Sequence, residues 1–207
     1  MIDRLVEGTI RFREKIFPTK KALYEKLAKG QSPNTLFITC SDSRVVPHLL
    51  TGSEPGDLFV IRNAGNFVPP PDVDSGEGAT LDYAVCALKV RDIVVCGHAQ
   101  CGAVGALYDP AIEQKLPSVA RWIKFGRKAQ EIVRAEGEPD SPQERIRAAI
   151  QANVRVQLAH LAAFPSVQDG LKNGSLALHG WVYQFESGDV LSLDPKTNRF
   201  HPLGESF

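Results

Sequence analysis

The sequence contains no apolar run that approaches the roughly 18 residues needed to cross a bilayer, which argues against a membrane span. It also lacks a net charge, since 24 basic residues balance 24 acidic ones, so no broad basic surface for nucleic acid is expected. The first seven residues lack the uninterrupted apolar core of a secretory signal peptide. We therefore expect a cytoplasmic protein with neither a nucleic acid nor a membrane as its partner.

Cysteine is scarce, with four residues in 207. Without a signal peptide, these residues are expected to be thiols rather than a disulfide framework. Cys86 lies in a helical pattern and Cys96 in an apolar run, so both are predicted to be small buried hydrophobic residues. Cys40 and Cys101 differ, because each stands where an apolar run gives way to polar residues and glycine. These two thiols are the candidates for chemistry.

The apolar runs that are present are short and alternate with helical patterns. Residues 35–39, 57–61 and 93–96 have the length and composition of buried strands, and a helical pattern covers 76–89. This alternation predicts an α/β fold with a central, mostly parallel sheet and helices on both faces. The 43% hydrophobic content is sufficient for one core, so we expect a single domain over residues 1–207.

The two ends of the chain have their own patterns. Residues 1–30 carry helical periodicity and many lysines and arginines, which predicts a helical arm that packs on a partner subunit or presents a solvated face. Ser141 is followed by proline and, three residues on, by glutamate, a capping signature that predicts the start of a long helix. Segments 176–185 and 190–193, separated by a turn, predict a C-terminal strand pair at the sheet edge.

Cys40, His98 and Cys101 form a candidate metal site. Cys40 and His98 each follow a predicted strand, and the carboxyl ends of parallel strands are where open α/β sheets bind ligands. Two thiols and one imidazole are a ligand set for zinc, and three protein ligands leave one position open, as in catalytic sites. The alternative is two buried thiols and a histidine that is satisfied within the core.

Asp42 and Arg44 are two residues apart, so in an extended segment their side chains point to the same side and can pair. A guanidinium fork favours the ionised carboxylate and fixes its orientation. Such a carboxylate can accept a hydrogen bond from a hydroxide at the metal, or it can bind the metal itself. The simpler alternative is an ion pair that only fixes a loop.

The spacing of Cys40, Asp42 and Arg44, followed by His98 and Cys101, resembles the motif of the β-class carbonic anhydrases. Segments 62–66 and 76–78 fit the same family, and the similarity is strongest between residues 30 and 107. The resemblance implies that Cys40, His98 and Cys101 bind one Zn²⁺ per chain. It also implies that Asp42 and Arg44 act as a catalytic pair.

The same resemblance implies the substrate-binding residues. A glutamine nine residues before the first cysteine, here Gln31, reaches the substrate across a dimer interface in the plant-like branch, and the amide of Gly102 contacts the substrate. The other branch has tryptophan three residues before that cysteine, where this chain has Phe37, so the plant-like branch with an open zinc site is expected. The apolar wall for carbon dioxide corresponds to Phe59, Ala64 and Tyr83.

The function that the resemblance implies is the reversible hydration of carbon dioxide to bicarbonate and a proton, in a homodimer or a larger even homo-oligomer. Two alternatives remain open at this point. One keeps the fold and the metal but changes the substrate to carbonyl sulfide or carbon disulfide. The other is a structural zinc protein without turnover, in which Asp42 is the fourth ligand. A redox role is disfavoured, because Cys40 and Cys101 do not form a C-x-x-C pair.

Overall fold

The computed structural model describes residues 2–204 and divides the chain into two compact units, with the boundary between Ser32 and Pro33. The first unit contains helices α1 (Ile2–Arg11) and α2 (Lys21–Leu27), which are joined by a π turn and a 3-10 turn. The predicted N-terminal helical arm is thereby confirmed as helix. Its packing on a partner, and a single domain over residues 1–207, stay predictions.

The second unit is built on a six-stranded sheet with the order β2-β1-β3-β4-β5-β6. Its strands are β1 (Thr35–Cys40), β2 (Leu58–Asn63), β3 (Asp92–His98), β4 (Ala177–Tyr183), β5 (Val190–Asp194) and β6 (Arg199–Pro202). The first four strands pair in parallel, and β5 and β6 are antiparallel additions at one edge. The mostly parallel sheet and the C-terminal strands at its edge are confirmed, and β6 is an additional strand that the sequence reading missed.

Eight helices connect and cover these strands within the described part of the second unit. They are α3 (Pro47–Thr51), α4 (Gly76–Asp82), α5 (Gly102–Gly105), α6 (Ile112–Lys115), α7 (Pro117–Trp122), α8 (Arg127–Ala135), α9 (Pro142–Ala162) and α10 (Pro165–Asn173). The long helix α9 begins as predicted, with the Ser141 hydroxyl accepting a bond from the Glu144 amide. None of the helices within residues 2–204 has the length and apolar character needed to cross a membrane.

Helices cover both faces of the sheet, but unequally. Leu36 and Ile38 of β1 point into the larger core, to which α4, α5, α8, α9 and α10 contribute buried residues. The intervening Phe37 points to the opposite face, where it packs with Cys96 and with Leu50 of α3. The alternation of side chains along a strand explains this division, because successive residues face opposite sides.

The buried position predicted for Cys96 is confirmed, whereas the same prediction for Cys86 is wrong, since Cys86 is exposed. Helix α4 passes into a π turn over Tyr83–Ala87, of which only Ala84 is buried. A π turn contains more residues than an α-helical turn, so it shifts the phase of the helical pattern and rotates Cys86 toward solvent.

Two buried amides on α9 fix the loop that follows β2. The Asn153 amide donates to the Gly65 carbonyl at 3.1 Å, and the Gln157 carbonyl oxygen accepts from the Val68 amide at 2.8 Å. Gln157 also donates to the Asn153 side-chain oxygen at 2.8 Å, so the two amides support each other. A loop buried in this way needs such partners, because orphaned backbone groups are costly. The loop lies beside Cys40, to whose sulfur the Gly65 amide donates at 3.3 Å.

Replacing Gln157 by leucine should therefore lower the free energy of unfolding by about 2–3 kcal/mol, because the Val68 amide and the Asn153 oxygen lose their partner in the core. Urea denaturation monitored by circular dichroism measures this loss. Gln114→Leu, at an exposed position on α6, is the control and should change stability by less than about 0.5 kcal/mol. Equal losses in the two variants would show that the buried network has no special role.

Candidate metal centre

The three predicted ligands meet at one edge of the sheet. Cys40 ends β1 and His98 ends β3, its parallel neighbour, while Cys101 immediately precedes α5. Their ligand atoms lie within 4.8 Å of one another, and all three residues are buried. β1 is flanked by β2 and β3, so the chain order reverses at this point, the usual ligand-binding position of an open α/β sheet.

The geometry fits a tetrahedral zinc ion. The Cys40 and Cys101 sulfurs are 4.0 Å apart, close to the about 3.8 Å that two Zn–S bonds of about 2.3 Å impose at a tetrahedral angle. His98 Nδ1 lies 2.8 Å from the Ala99 carbonyl and therefore donates to it, which leaves Nε2 as the nitrogen with a free lone pair. That nitrogen is buried and has no hydrogen-bond partner. A metal ion would satisfy it.

The two thiols share one hydrogen bond, which moves their pKa values in opposite directions. The Cys101 thiol donates to the Cys40 sulfur and so lowers the pKa of Cys40 to about 4, with help from the Gly65 amide and against the effect of burial. The same hydrogen bond, together with burial, raises the pKa of Cys101. A divalent metal held by both sulfurs would displace the thiol proton, because cysteines bind metals as thiolates.

The predicted pair of Asp42 and Arg44 is formed beside this group. Arg44 Nε donates to Asp42 Oδ1 at 3.0 Å and Nη2 donates to Oδ2 at 2.8 Å, a two-point contact that the Arg44 backbone amide extends. The guanidinium holds the pKa of Asp42 well below its usual range. Asp42 Oδ2 is 3.9 Å from His98 Nε2, so the ionised carboxylate faces the ligand group without a hydrogen bond to it.

Arg62 holds the loop that carries these residues. Its Nε and Nη2 donate to the Cys40 carbonyl at 3.1 and 3.0 Å, and Nη2 also donates to the Asp42 carbonyl at 2.8 Å. The sequence reading assigned Arg62 no role at the metal site. Only the strand register indicates that Arg62 lies near the metal site, since the pairing of β1 and β2 places Arg62 opposite Thr39, next to Cys40.

Two of the residues expected to contact substrate lie near the ligand group along the chain and in space. Ala64 follows β2 and directly precedes Gly65, whose amide donates to the Cys40 sulfur. The Ala64 carbonyl accepts a hydrogen bond from Trp122 Nε1 at 2.8 Å. Gly102 is the first residue of α5 and directly follows Cys101.

Phe59 and Tyr83, two further residues expected to contact substrate, lie away from the ligand group within the second unit. Phe59 and Tyr83 contact each other, with ring centroids 6.0 Å apart. Phe59 pairs with Leu36, however, four positions before Cys40, which is about 13 Å along the strand. Gln31 belongs to the N-terminal unit. Within the second unit, Phe59 and Tyr83 therefore do not form a wall beside the metal group.

A cavity of about 1110 Å³ opens next to the ligand group. It lies between the loop after β3, the start of α9 and the turn that joins β4 to β5, and its lining includes Gln100, Cys101 and Gly102. The loop that carries Cys101 therefore borders a space large enough for solvent and small molecules.

Comparisons with known proteins match this arrangement. The carbonic anhydrase family model matches residues 35–190. A carbonic anhydrase of Pseudomonas aeruginosa is 46% identical over 202 residues, which cover 97% of this chain and 91% of the relative. Among solved structures, the β-carbonic anhydrase CcaA aligns with a TM-score of 0.93 and 43% identity over 97% of this chain and 91% of that chain. A tetrameric β-carbonic anhydrase from Sordaria macrospora aligns with a TM-score of 0.79 and 28% identity, over 98% and 96%.

Proposed function

Because the chain belongs to the β-class carbonic anhydrases and is a carbonate dehydratase, we propose that it hydrates carbon dioxide reversibly at a zinc ion held by Cys40, His98 and Cys101. The observation that carries this proposal is the buried, unpartnered His98 Nε2 beside two sulfurs 4.0 Å apart. Stopped-flow carbon dioxide hydration by the zinc-loaded protein tests the proposal directly. A zinc-loaded protein without hydration activity would contradict it.

Zinc supplies Lewis acidity, which makes a water molecule nucleophilic near neutral pH. The residues around it determine how that water attacks. Asp42 accepts a hydrogen bond from the attacking water and so directs a lone pair of its oxygen toward the substrate carbon. Arg44 keeps Asp42 ionised, and an ionised carboxylate can only accept. The developing bicarbonate carries negative charge, which the Gly102 amide and the Gln31 side chain stabilise.

The proposed active site is composite, as in the plant-like branch of the family. The single chain keeps Phe59 and Tyr83 away from its own ligand group, so they can complete the apolar wall only in a neighbouring subunit. In the N-terminal unit, Ile2 and Leu5 are 66% and 64% exposed, an apolar surface that a partner subunit would cover. The tetrameric assembly of the Sordaria macrospora protein supports a homo-oligomer. We place this oligomer in the cytoplasm.

Mixing two impaired variants tests the composite site. The Gln31→Ala chain lacks the side chain that it would contribute to the partner subunit's active site. The Cys101→Ser chain lacks a ligand of its own metal site. If equal amounts exchange subunits as dimers, half of the dimers are mixed and each mixed dimer has one intact site. Hydration activity should then recover to about one quarter of the parent value.

The matched control for the mixing experiment is Cys101→Ser with Cys40→Ser. Each of these chains lacks a ligand of its own metal site, so neither can repair the other and no activity should return. No recovery in the mixture that contains Gln31→Ala would place Gln31 in its own subunit's site or outside the site. Light scattering of the parent protein should detect at least a dimer.

A further inference from the structure

The segment after β4 contacts Arg44 of the catalytic pair. The half-buried Phe185 ring lies under the Arg44 guanidinium, with 4.2 Å between the guanidinium carbon and the ring centroid. The same ring lies 5.3 Å from the His98 ring, centroid to centroid. One aromatic side chain therefore contacts both the arginine of the pair and a proposed zinc ligand.

A second contact reaches Arg44 through Gln100. Arg44 Nη1 donates to Gln100 Oε1 at 3.5 Å, and Gln100 Nε2 donates to Glu186 Oε1 at 2.5 Å. Gln100 has a φ of 56°, a left-handed conformation that is uncommon for residues other than glycine. Such a conformation persists when its surroundings determine it. Here the loop between His98 and Cys101 turns the Gln100 side chain toward Arg44 and Glu186.

Arg44 needs such support because its side chain is 47% exposed. A long, exposed arginine has many rotamers, and water competes for its donors. The two-point contact with Asp42 forms only when the guanidinium and the carboxylate share a plane and a register. A ring beneath the guanidinium removes many of the competing rotamers, since the cation is attracted to the aromatic face.

We propose that Phe185 is a positioning residue that keeps the Arg44 guanidinium in its two-point contact with Asp42. Gln100 and Glu186 restrict the same guanidinium from a second direction. The catalytic consequence rests on the proposed function, in which Asp42 must be oriented toward the attacking water. The structural statement about Arg44 does not depend on that function.

Phe185→Leu tests this proposal, because leucine keeps an apolar side chain but has no aromatic face. Hydrogen exchange of the Arg44 Nε–H, measured by NMR on the purified protein, should become roughly two- to fivefold faster. In the zinc-loaded protein, kcat/KM for carbon dioxide should fall by roughly the same factor with unchanged zinc content. Phe185→Tyr retains the ring and should restore both values.

Gln184→Ala is the control, since it changes the neighbouring side chain in the same segment and should leave the Arg44 exchange rate and kcat/KM unchanged. An unchanged Arg44 exchange rate in Phe185→Leu would overturn the proposal, and so would an equal effect in Gln184→Ala. If Phe185→Leu does not fold, Glu186→Ala, at an exposed position, should accelerate the exchange to a smaller degree, and no change there would overturn the role of Gln100 and Glu186. A parent protein that does not hydrate carbon dioxide contradicts the proposed function alone, because the exchange rate still tests the positioning of Arg44.

Discussion

Replacing Cys40 or Cys101 by serine, or His98 by alanine, should abolish stoichiometric zinc binding. Each residue provides one of only three protein ligands, and residues that merely support a ligand already change metal affinity by about 10- to 100-fold. A loss of more than about 100-fold in zinc affinity is therefore expected for each ligand. Hydration of carbon dioxide should disappear with the metal. Zinc content per chain after dialysis, determined by atomic absorption, measures the effect.

The controls repeat the same chemical changes outside the site. Cys86→Ser removes an exposed thiol and His48→Ala removes a histidine outside the ligand group, so both proteins should keep one zinc per chain. A full equivalent of zinc in any one of the three ligand variants would remove that residue from the proposed ligand set.

Asp42→Asn should keep its zinc but lose about 100-fold in hydration rate, in the range found when a group that orients a metal site is removed. The carboxylate can only accept hydrogen bonds, whereas an asparagine can present its NH₂ group to the attacking water and then fails to orient it. Stopped-flow rates and zinc content are measured on the same sample. Asp109→Asn, which changes a carboxylate outside the ligand group that is paired with Lys115, is the control and should match the parent.

The Asp42→Asn variant also separates the enzyme from a structural zinc protein. If Asp42 were a permanent fourth ligand, the change would weaken zinc binding and there would be no activity to lose. Arg44→Ala approaches the pair from the other side. Without the guanidinium, the pKa of Asp42 should rise toward its usual range, so this carboxylate becomes protonated at a higher pH than in the parent. In Arg44→Ala, the loss of hydration activity should therefore be greatest at the acidic end of the pH profile.

An Asp42→Asn protein that keeps its zinc and full hydration activity would contradict the orienting role of Asp42.

The sequence predicts the ligand group and the catalytic pair because each is encoded locally. Cys40 and His98 follow short apolar runs that are typical of buried strands, and parallel pairing then brings the ends together. The contact of Phe185 with Arg44 has no such local signal. It depends on the register of β3 and β4, which places Tyr183 opposite His98 and carries the next residues over the site.

Strand β6 was not predicted because it is short and has no local signal. Strand β6 has four residues, Arg199–Pro202, with no apolar alternation to mark it, and it exists because β5 offers a free edge. The position of Phe59, about 13 Å along β2 from the end that faces the ligand group, also follows only from the strand register. Residue patterns identify which side chains are chemically suited to a site, but the register decides which of them a single chain brings together.

The order in which this protein folds and acquires its metal follows from the separation of its ligands. Cys40 and Cys101 are 61 positions apart and approach each other only after β1 has paired with β3. Contacts between residues so distant in sequence form late, because a long loop must close first. A zinc ion bound by all three residues would therefore be captured by a sheet that is already assembled. It would add about 4 kcal/mol of stability when free zinc exceeds its dissociation constant a thousandfold.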